Sequence, residues 1–308
     1  MLDLTRLQTF VIAAETLSFS KTAKQLHLTQ PTISHQIKAL EQDLGVELFN
    51  RNGHSLQLTE TGRFLLPWAR KLIRQSNEMQ DMLAGLDEQI IGQLRIACST
   101  TAGKYILPQL AARFKLNHPG IQVSILACTP EHVIPRLLDG EANLGVVSYE
   151  AHVQGLEAQK FFIDYITLIV PADHPWAVRQ SIEPTDLTTE PLIIREVSSG
   201  THRVLLEGLA RHDIAFDDLN VFIELGNAEA AVETVAAGYG ITFVSRLATA
   251  RALDQHKVVE VPVARLELQR TVYMARRNIG ASHRPQAAFW GFIHDAKNED
   301  LLHLAKSL

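Results

Sequence analysis

The 308-residue chain is too long for one small core, so two or three domains are expected. Its 46% apolar and 20% charged residues are those of a soluble globular protein. The net charge of −5 excludes a chain that is basic throughout, so any nucleic-acid-binding charge must be local. Residues 1–74 hold nine Lys/Arg against six Asp/Glu, which puts the positive excess at the N-terminal end and an acidic body behind it.

Leu7, Phe10, Val11 and Ala14 mark a first helix. From Ser18 to Leu44 two short helical patterns meet at a tight corner. Ala23 and Leu26 stripe the first. Ile33, Ile37, Leu40 and Leu44 stripe the second at spacings of four, three and four. Thr29 suits the N-cap of the second helix, Pro31 its first turn, and Gly45 a left-handed C-cap. Gln30 lies between the two helices, and the opposite face of the second carries Thr32, Ser34, His35, Gln36 and Lys38, with no acid before Glu41. A helix that buries one face and offers donors and acceptors on the other is what major-groove reading needs. The alternative is an ordinary surface helix of a small bundle.

The segment beyond Gly45 favours the groove-reading helix. Asn52-Gly53 is a turn signal, and Ser55 to Thr59 alternates as a short strand, so a β-hairpin wing is expected. Arg51 and His54 fall near its tip, where a cation can sit over a phosphate. This order of parts resembles the LysR-type transcriptional regulators. The resemblance rests on Phe10, Ala23, Leu26, Thr29-Gln30-Pro31, Ser34, Ile37, Leu40-Glu41, Leu44-Gly45, Leu48-Phe49, Arg51, Leu58-Thr59 and Gly62. His35 departs from it, since many members carry Arg there, and a histidine brings less fixed charge. Gln30, Pro31, Thr32, Ser34, His35, Lys38 and Arg51 are the candidate DNA-binding residues.

Thr59, Glu60 and Thr61 open a long helix. Its apolar series Leu65, Ala69, Leu72, Ser76, Met79, Leu83, Leu86 and Ile90 alternates four and three, broken only at Ser76, which is a coiled-coil signature. Because the preceding domain looks complete, pairing with a second chain is preferred over packing at home. The resemblance also implies a linker helix that dimerises.

From Gln93 the pattern alternates β and α. Strands are expected at Leu94–Cys98, Val123–Cys128, Leu144–Val147, Tyr165–Val170, Leu192–Arg195, Val221–Leu225, Ile241–Val244 and Thr271–Ala275. Helices are expected at 104–116, 132–138, 227–237, 246–253 and 284–295. Consecutive crossovers imply a parallel sheet with helices on its faces, in two α/β lobes. Phe161–Thr167 and Leu266–Thr271 are the expected hinges, and the tail to Leu308 is expected to be loosely held. This region is similar to the family's effector domain, which is built like a periplasmic binding protein. The fold class is therefore α/β multidomain: a winged helix–turn–helix over 1–60, a dimerising linker helix over 61–90, and an effector domain over 91–308. Lobe I takes about 91–162 and 268–308, and lobe II about 163–267.

In such a sheet, ligands bind at the carboxyl ends of strands, where helix N-termini favour anions. Ser99, Thr100 and Thr101 join a strand to a helix there, and Thr129 comes after the next strand. Thr201 and Asn227 open helices in the second lobe. These six are the candidate effector residues, for a small and anionic metabolite; simple N-capping is the alternative. Arg195 and Arg203 are candidate charges, with a plain surface role the alternative.

HExxH, CxxC, P-loop, GxSxG and GxGxxG motifs are absent, and the thirteen histidines are scattered. No enzyme, cofactor or metal is expected. Cys98 and Cys128 sit in apolar runs and are expected as buried free thiols. No signal peptide opens the chain and no apolar run reaches membrane length, so a cytoplasmic location without a membrane partner is expected. The resemblance implies a double-stranded DNA operator, a small-molecule effector, a homodimer and working homotetramer, and RNA polymerase as a candidate partner. The alternative is a cytoplasmic solute-binding or small-molecule enzyme domain fused to a DNA-binding adaptor.

Overall fold

A computed structural model describes residues 2–52, 55–84, 90–99, 101–278 and 283–304. The chain forms two compact units, Met1–Glu88 and Gln89–Leu308.

The first unit runs α1 (Leu4–Thr16), α2 (Phe19–Leu26), α3 (Gln30–Leu44), β1 (Phe49–Asn52), β2 (Ser55–Leu58) and α4 (Glu60–Ala84). Side chains of Asp3, Ser18 and Thr29 accept from backbone N–H groups at the starts of α1, α2 and α3. These caps satisfy donors that a helix start leaves open. Gly45 ends α3 at φ 70°, the left-handed value expected of it. Leu7, Phe10, Ile33, Ile37 and Leu40 are fully buried together. The antiparallel hairpin pairs Asn52 with Ser55, which fits the expected turn, although Gly53 and His54 lie outside the described residues. Phe10 and Phe19 both meet Phe49 edge-on at 5.7 Å, tying the hairpin to the helices. Glu41 accepts from the N–H groups of Leu48 and Phe49 at 2.8 and 3.2 Å, which fixes the hairpin's entry to α3. Gly62 lies so close to this entry that a Cβ would collide with the Leu48 carbonyl oxygen.

The expectation that this domain is complete without the long helix is overturned. Ala69 is fully buried in the domain's core, with Leu65, Leu66 and Ile73 packed against it. Arg70 pairs with Glu15 of α1 at 2.9 Å. Three helices and a short hairpin leave one side of the core open, and α4 closes it. Among the described side chains of α4, the apolar ones left in solvent are Phe64, Trp68, Leu72 and Met79, at 71, 55, 41 and 53% exposure. The exposed stripe is thus rotated from the expected one: it keeps Leu72 and Met79 and loses Leu65 and Ala69. The side chain of Leu83 and all of Leu86 lie outside the described residues, and Ile90 is not helical.

The second unit holds β3 (Gly92–Cys98), α5 (Thr101–Asn117), β4 (Ile121–Ala127), α6 (Pro130–Leu138), β5 (Leu144–Val147), β6 (Leu156–Pro171), β7 (Leu192–Arg195), α7 (Gly200–Ala210), β8 (Val221–Leu225), α8 (Ala228–Ala236), β9 (Ile241–Ser245), α9 (Arg246–Asp254), β10 (Val258–Glu260), β11 (Leu268–Arg277), α10 (Arg284–Phe292) and α11 (Glu299–Leu302). The sheet order is β4-β3-β5-β11-β6-β9-β7-β8, with β10 beside β6. It is mixed rather than parallel. β3 pairs parallel with β4 and β5, and β7 with β8 and β9. The long strands β6 and β11 run antiparallel between the two groups. Both expected hinges fall on that strand pair. One lobe's core gathers Leu94, Phe114, Leu144 and Phe289; the other gathers Leu168, Trp176, Leu192 and Phe243.

Two further expectations fail. The tail is docked as far as Leu304: Leu301 is buried, and Arg113 grips Asp300 with two hydrogen bonds. Cys98 is buried but Cys128 is only half-buried; both are free thiols. Burial raises the Cys128 thiol above its usual range.

Candidate nucleic-acid interface and effector cleft

On α3, Gln30, Pro31, His35 and Lys38 are exposed, and Thr32 and Ser34 half-buried. They share the face opposite Ile33, Ile37 and Leu40. The side chains of Gln30, Ser34, His35 and Lys38 make no hydrogen bond to protein among the described residues, so their polar atoms are available to a ligand. Thr32 is partly committed, since its hydroxyl lies 2.8 Å from that of Thr29 at the cap. Gln36 does not belong to this face: it accepts from the Thr9 hydroxyl of α1. Lys21 and Lys24 of α2 are also exposed. Arg51 lies in β1, and its side chain is outside the described residues.

In the second unit, Ser99 and Thr101 come after β3, and Thr129 after β4. The parallel pairing of β3 and β4 places these loops side by side. Ser99 donates to the Val146 carbonyl at 3.3 Å, and Thr101 is buried at the start of α5. Thr100 lies outside the described residues. Thr129 is exposed at the N-cap of α6 and sits 2.6 Å from His132 Nδ1. Thr201 and Asn227 come after β7 and β8, also a parallel pair. Thr201 is buried in the first turn of α7, and its N–H donates to Ser199 Oγ at 3.2 Å. Asn227 caps α8 by accepting from the Ala230 N–H at 3.1 Å, so the capping alternative holds for its carbonyl oxygen.

Of the two candidate cations, one departs from the surface alternative and one follows it. Arg195 is buried, not at the surface, and its charge is neutralised by Glu196 through two 2.8 Å bonds. Arg203 is exposed and donates to the Ser148 carbonyl at 2.9 Å, reaching from α7 to the loop after β5. Gly200 sits against the Ser148 hydroxyl, and its missing Cβ would stand 2.7 Å from Arg270 Nη1. The start of α7 therefore meets the first lobe at Ser148, with a guanidinium behind it.

That guanidinium belongs to a cluster the sequence reading missed. Asp164 of β6 is fully buried and accepts from Arg270 of β11 at 2.8 and 2.9 Å. Ser245, at the end of β9, donates to its other oxygen at 2.6 Å. Burial pushes the Asp164 carboxyl up, against the pull of Arg270. A signal was present, because the one acid within the apolar run Phe161–Val170, Asp164, demands a partner, and Arg270, ahead of the apolar stretch of β11, demands one too.

These two surfaces on this fold define a class: a DNA-binding regulator with a two-lobed domain for a small ligand. Residues 4–63 match the family model for the bacterial regulatory helix-turn-helix protein of the lysR family, and 87–298 match the LysR substrate binding domain. An uncharacterised HTH-type transcriptional regulator of Methanocaldococcus jannaschii is 32% identical over 93% of this chain and 96% of its own. The crystal structure of full-length CbnR complexed with its target DNA superposes with a TM-score of 0.70 at 22% identity, over 99% of this chain and 100% of that one. The regulatory domain of CcmR from Synechocystis, solved in complex with 2-PG, superposes with a TM-score of 0.59 at 28% identity, over 66% of this chain and 95% of that one. The chain belongs to the LysR-type transcriptional regulators.

Proposed function

We propose that residues 1–60 read an operator and 61–90 pair two chains, while 91–308 gate this binding through a small anion held between the lobes. In this reading Gln30, Pro31, Thr32, Ser34 and His35 face base edges, and Lys38 and Arg51 face phosphates. Ser99, Thr100, Thr101, Thr129, Thr201 and Asn227 form the anion site. The working form is a cytoplasmic homotetramer with no catalytic activity and no cofactor, and RNA polymerase is a downstream partner. One observation carries the effector assignment. Two buried threonines, Thr101 and Thr201, open helices at the carboxyl ends of strands in both lobes, where Gly200 brings α7 against Ser148 and Arg270. Helix starts of this kind favour negative charge. That CcmR was solved with 2-PG supports a small ligand in this domain.

An anion that touches both lobes favours their closed arrangement, and only that difference in affinity can shift the operator-binding state. The test is calorimetric titration of the full chain with small carboxylates and phosphates. Thr101→Val and Thr201→Val should each weaken the best anion about ten-fold, the loss of one charged-acceptor hydrogen bond. Equal binding by wild type and both variants would remove these loops from the site.

A further inference from the structure

A cavity of about 490 Å³ lies between α5, α8 and α9. It is large enough for a small organic ligand. Most of its wall is apolar, with Val232, Leu247 and Leu304 contributing. Its polar content centres on Glu229. The Tyr105 hydroxyl donates to Glu229 Oε1 at 3.1 Å, while Oε2 is buried and has no hydrogen-bond partner. A buried acceptor without a donor costs free energy and calls for an explanation. Tyr105 cannot supply the second bond, because its one proton is already committed. Burial, and then Glu229, raise the phenol above its usual range, so it keeps that proton. Glu233 adds a second carboxylate to the lining, and Arg251, also in the lining, pairs with neither acid among the described residues.

We propose that this cavity binds a small organic amine, whose ammonium donates to Glu229 Oε2 while its hydrocarbon body packs on Val232, Leu247 and Leu304. An ammonium has three donors and no acceptor, and so matches a carboxylate that lacks one bond. The apolar wall excludes a bare metal ion, which requires several oxygen ligands. The site also has a mechanical consequence. α5 comes after β3 in one lobe, whereas α8 and α9 come after β8 and β9 in the other, so an occupant touches both lobes. The inference does not depend on the anion assignment and stands if that assignment fails.

The experiment uses the full chain and 2-phenylethylamine as probe. 2-Phenylethanol and phenylacetate serve as neutral and anionic analogues of similar shape. Calorimetry should show the amine binding, the alcohol binding more weakly and phenylacetate failing to displace the amine. Glu229→Gln keeps the shape and removes the charge; it should weaken the amine about ten-fold or more. Arg251→Gln removes the cation of the lining and should leave the amine as tight or tighter. Thermal melting of each variant confirms that it is folded before titration. The proposal is overturned if the amine fails to bind at millimolar concentration, if folded Glu229→Gln binds it as well as wild type, or if phenylacetate competes equally.

Discussion

Two aspartate substitutions one helical turn apart on α4 should behave in opposite ways. Ala69 is fully buried in the core of its own unit, whereas Leu72 is 41% exposed. Ala69→Asp would bury a carboxylate with no partner, at a cost of several kcal/mol. Single domains are stable by only about 5–15 kcal/mol, so the DNA-binding unit should be largely unfolded or much less stable. Leu72→Asp leaves that core intact and should change its melting little. Its effect falls on association. The exposed part of Leu72 has about 1 kcal/mol of transfer free energy left to gain, or about 2 for a two-fold pair. Two carboxylates desolvated across the seam add several more, so the dimer should weaken by about a thousand-fold or more. Sedimentation equilibrium and circular-dichroism melts on both variants make the check. If Leu72→Asp assembles like wild type, or Ala69→Asp melts like wild type, then the division of α4 into a core face and a pairing face is wrong.

The strand pair β6–β11 gives a second prediction. Asp164→Asn leaves Arg270 buried without its counter-charge and should cost about 3–5 kcal/mol, while Asp164→Leu combined with Arg270→Met should cost less than the single change. Urea unfolding monitored by Trp176 and Trp290 fluorescence reads both, and a single variant within about 1 kcal/mol of wild type would contradict the ion-pair account. A third prediction concerns pH. Burial holds His283, the N-cap of α10, down to about 4, below its ordinary value of 6.5. Because the unfolded histidine takes up its proton first, this contribution is neutral above pH 6.5 and turns destabilising as pH falls toward 4, by up to about 3 kcal/mol. His283→Asn keeps a capping side chain and should remove that slope from the pH dependence of the urea midpoint.

The sequence made the first unit legible because its local signals agree with one another. Thr29, Pro31 and Gly45 bound α3, and the Ile33–Leu44 stripe fixes which face is buried, so the exposed polar face follows by elimination. The α4 reading failed where local pattern competes with tertiary demand. A four-three series shows that a face is apolar but not which chain covers it, and the open side of the head claimed Leu65 and Ala69. The strands β7 and β8 were readable residue for residue, since short apolar runs between turn signals have little freedom. The crossing strands were not: β6 spans 16 residues, and only its apolar second half carries a strand signature. Side-chain partnerships across the fold were beyond reach. Arg195 and its neighbour Glu196 could be named as charges, but that the Leu225 carbonyl, 30 residues on, also holds Arg195 could not. Asp164 and Arg270 stand 106 residues apart in the chain and meet only through the antiparallel register.

The central claim is that α3 reads operator sequence as part of a paired molecule. Selection of random double-stranded DNA by the full chain tests it most directly. The account predicts enrichment of a near-palindrome whose half-sites lie about one helical turn, or a multiple of it, apart. Ser34→Ala or His35→Ala should change the enriched bases. Lys38→Ala should lower affinity evenly across sequences and flatten its salt dependence. Failure to enrich any sequence, or one unchanged motif recovered by wild type, Ser34→Ala and His35→Ala, would contradict it.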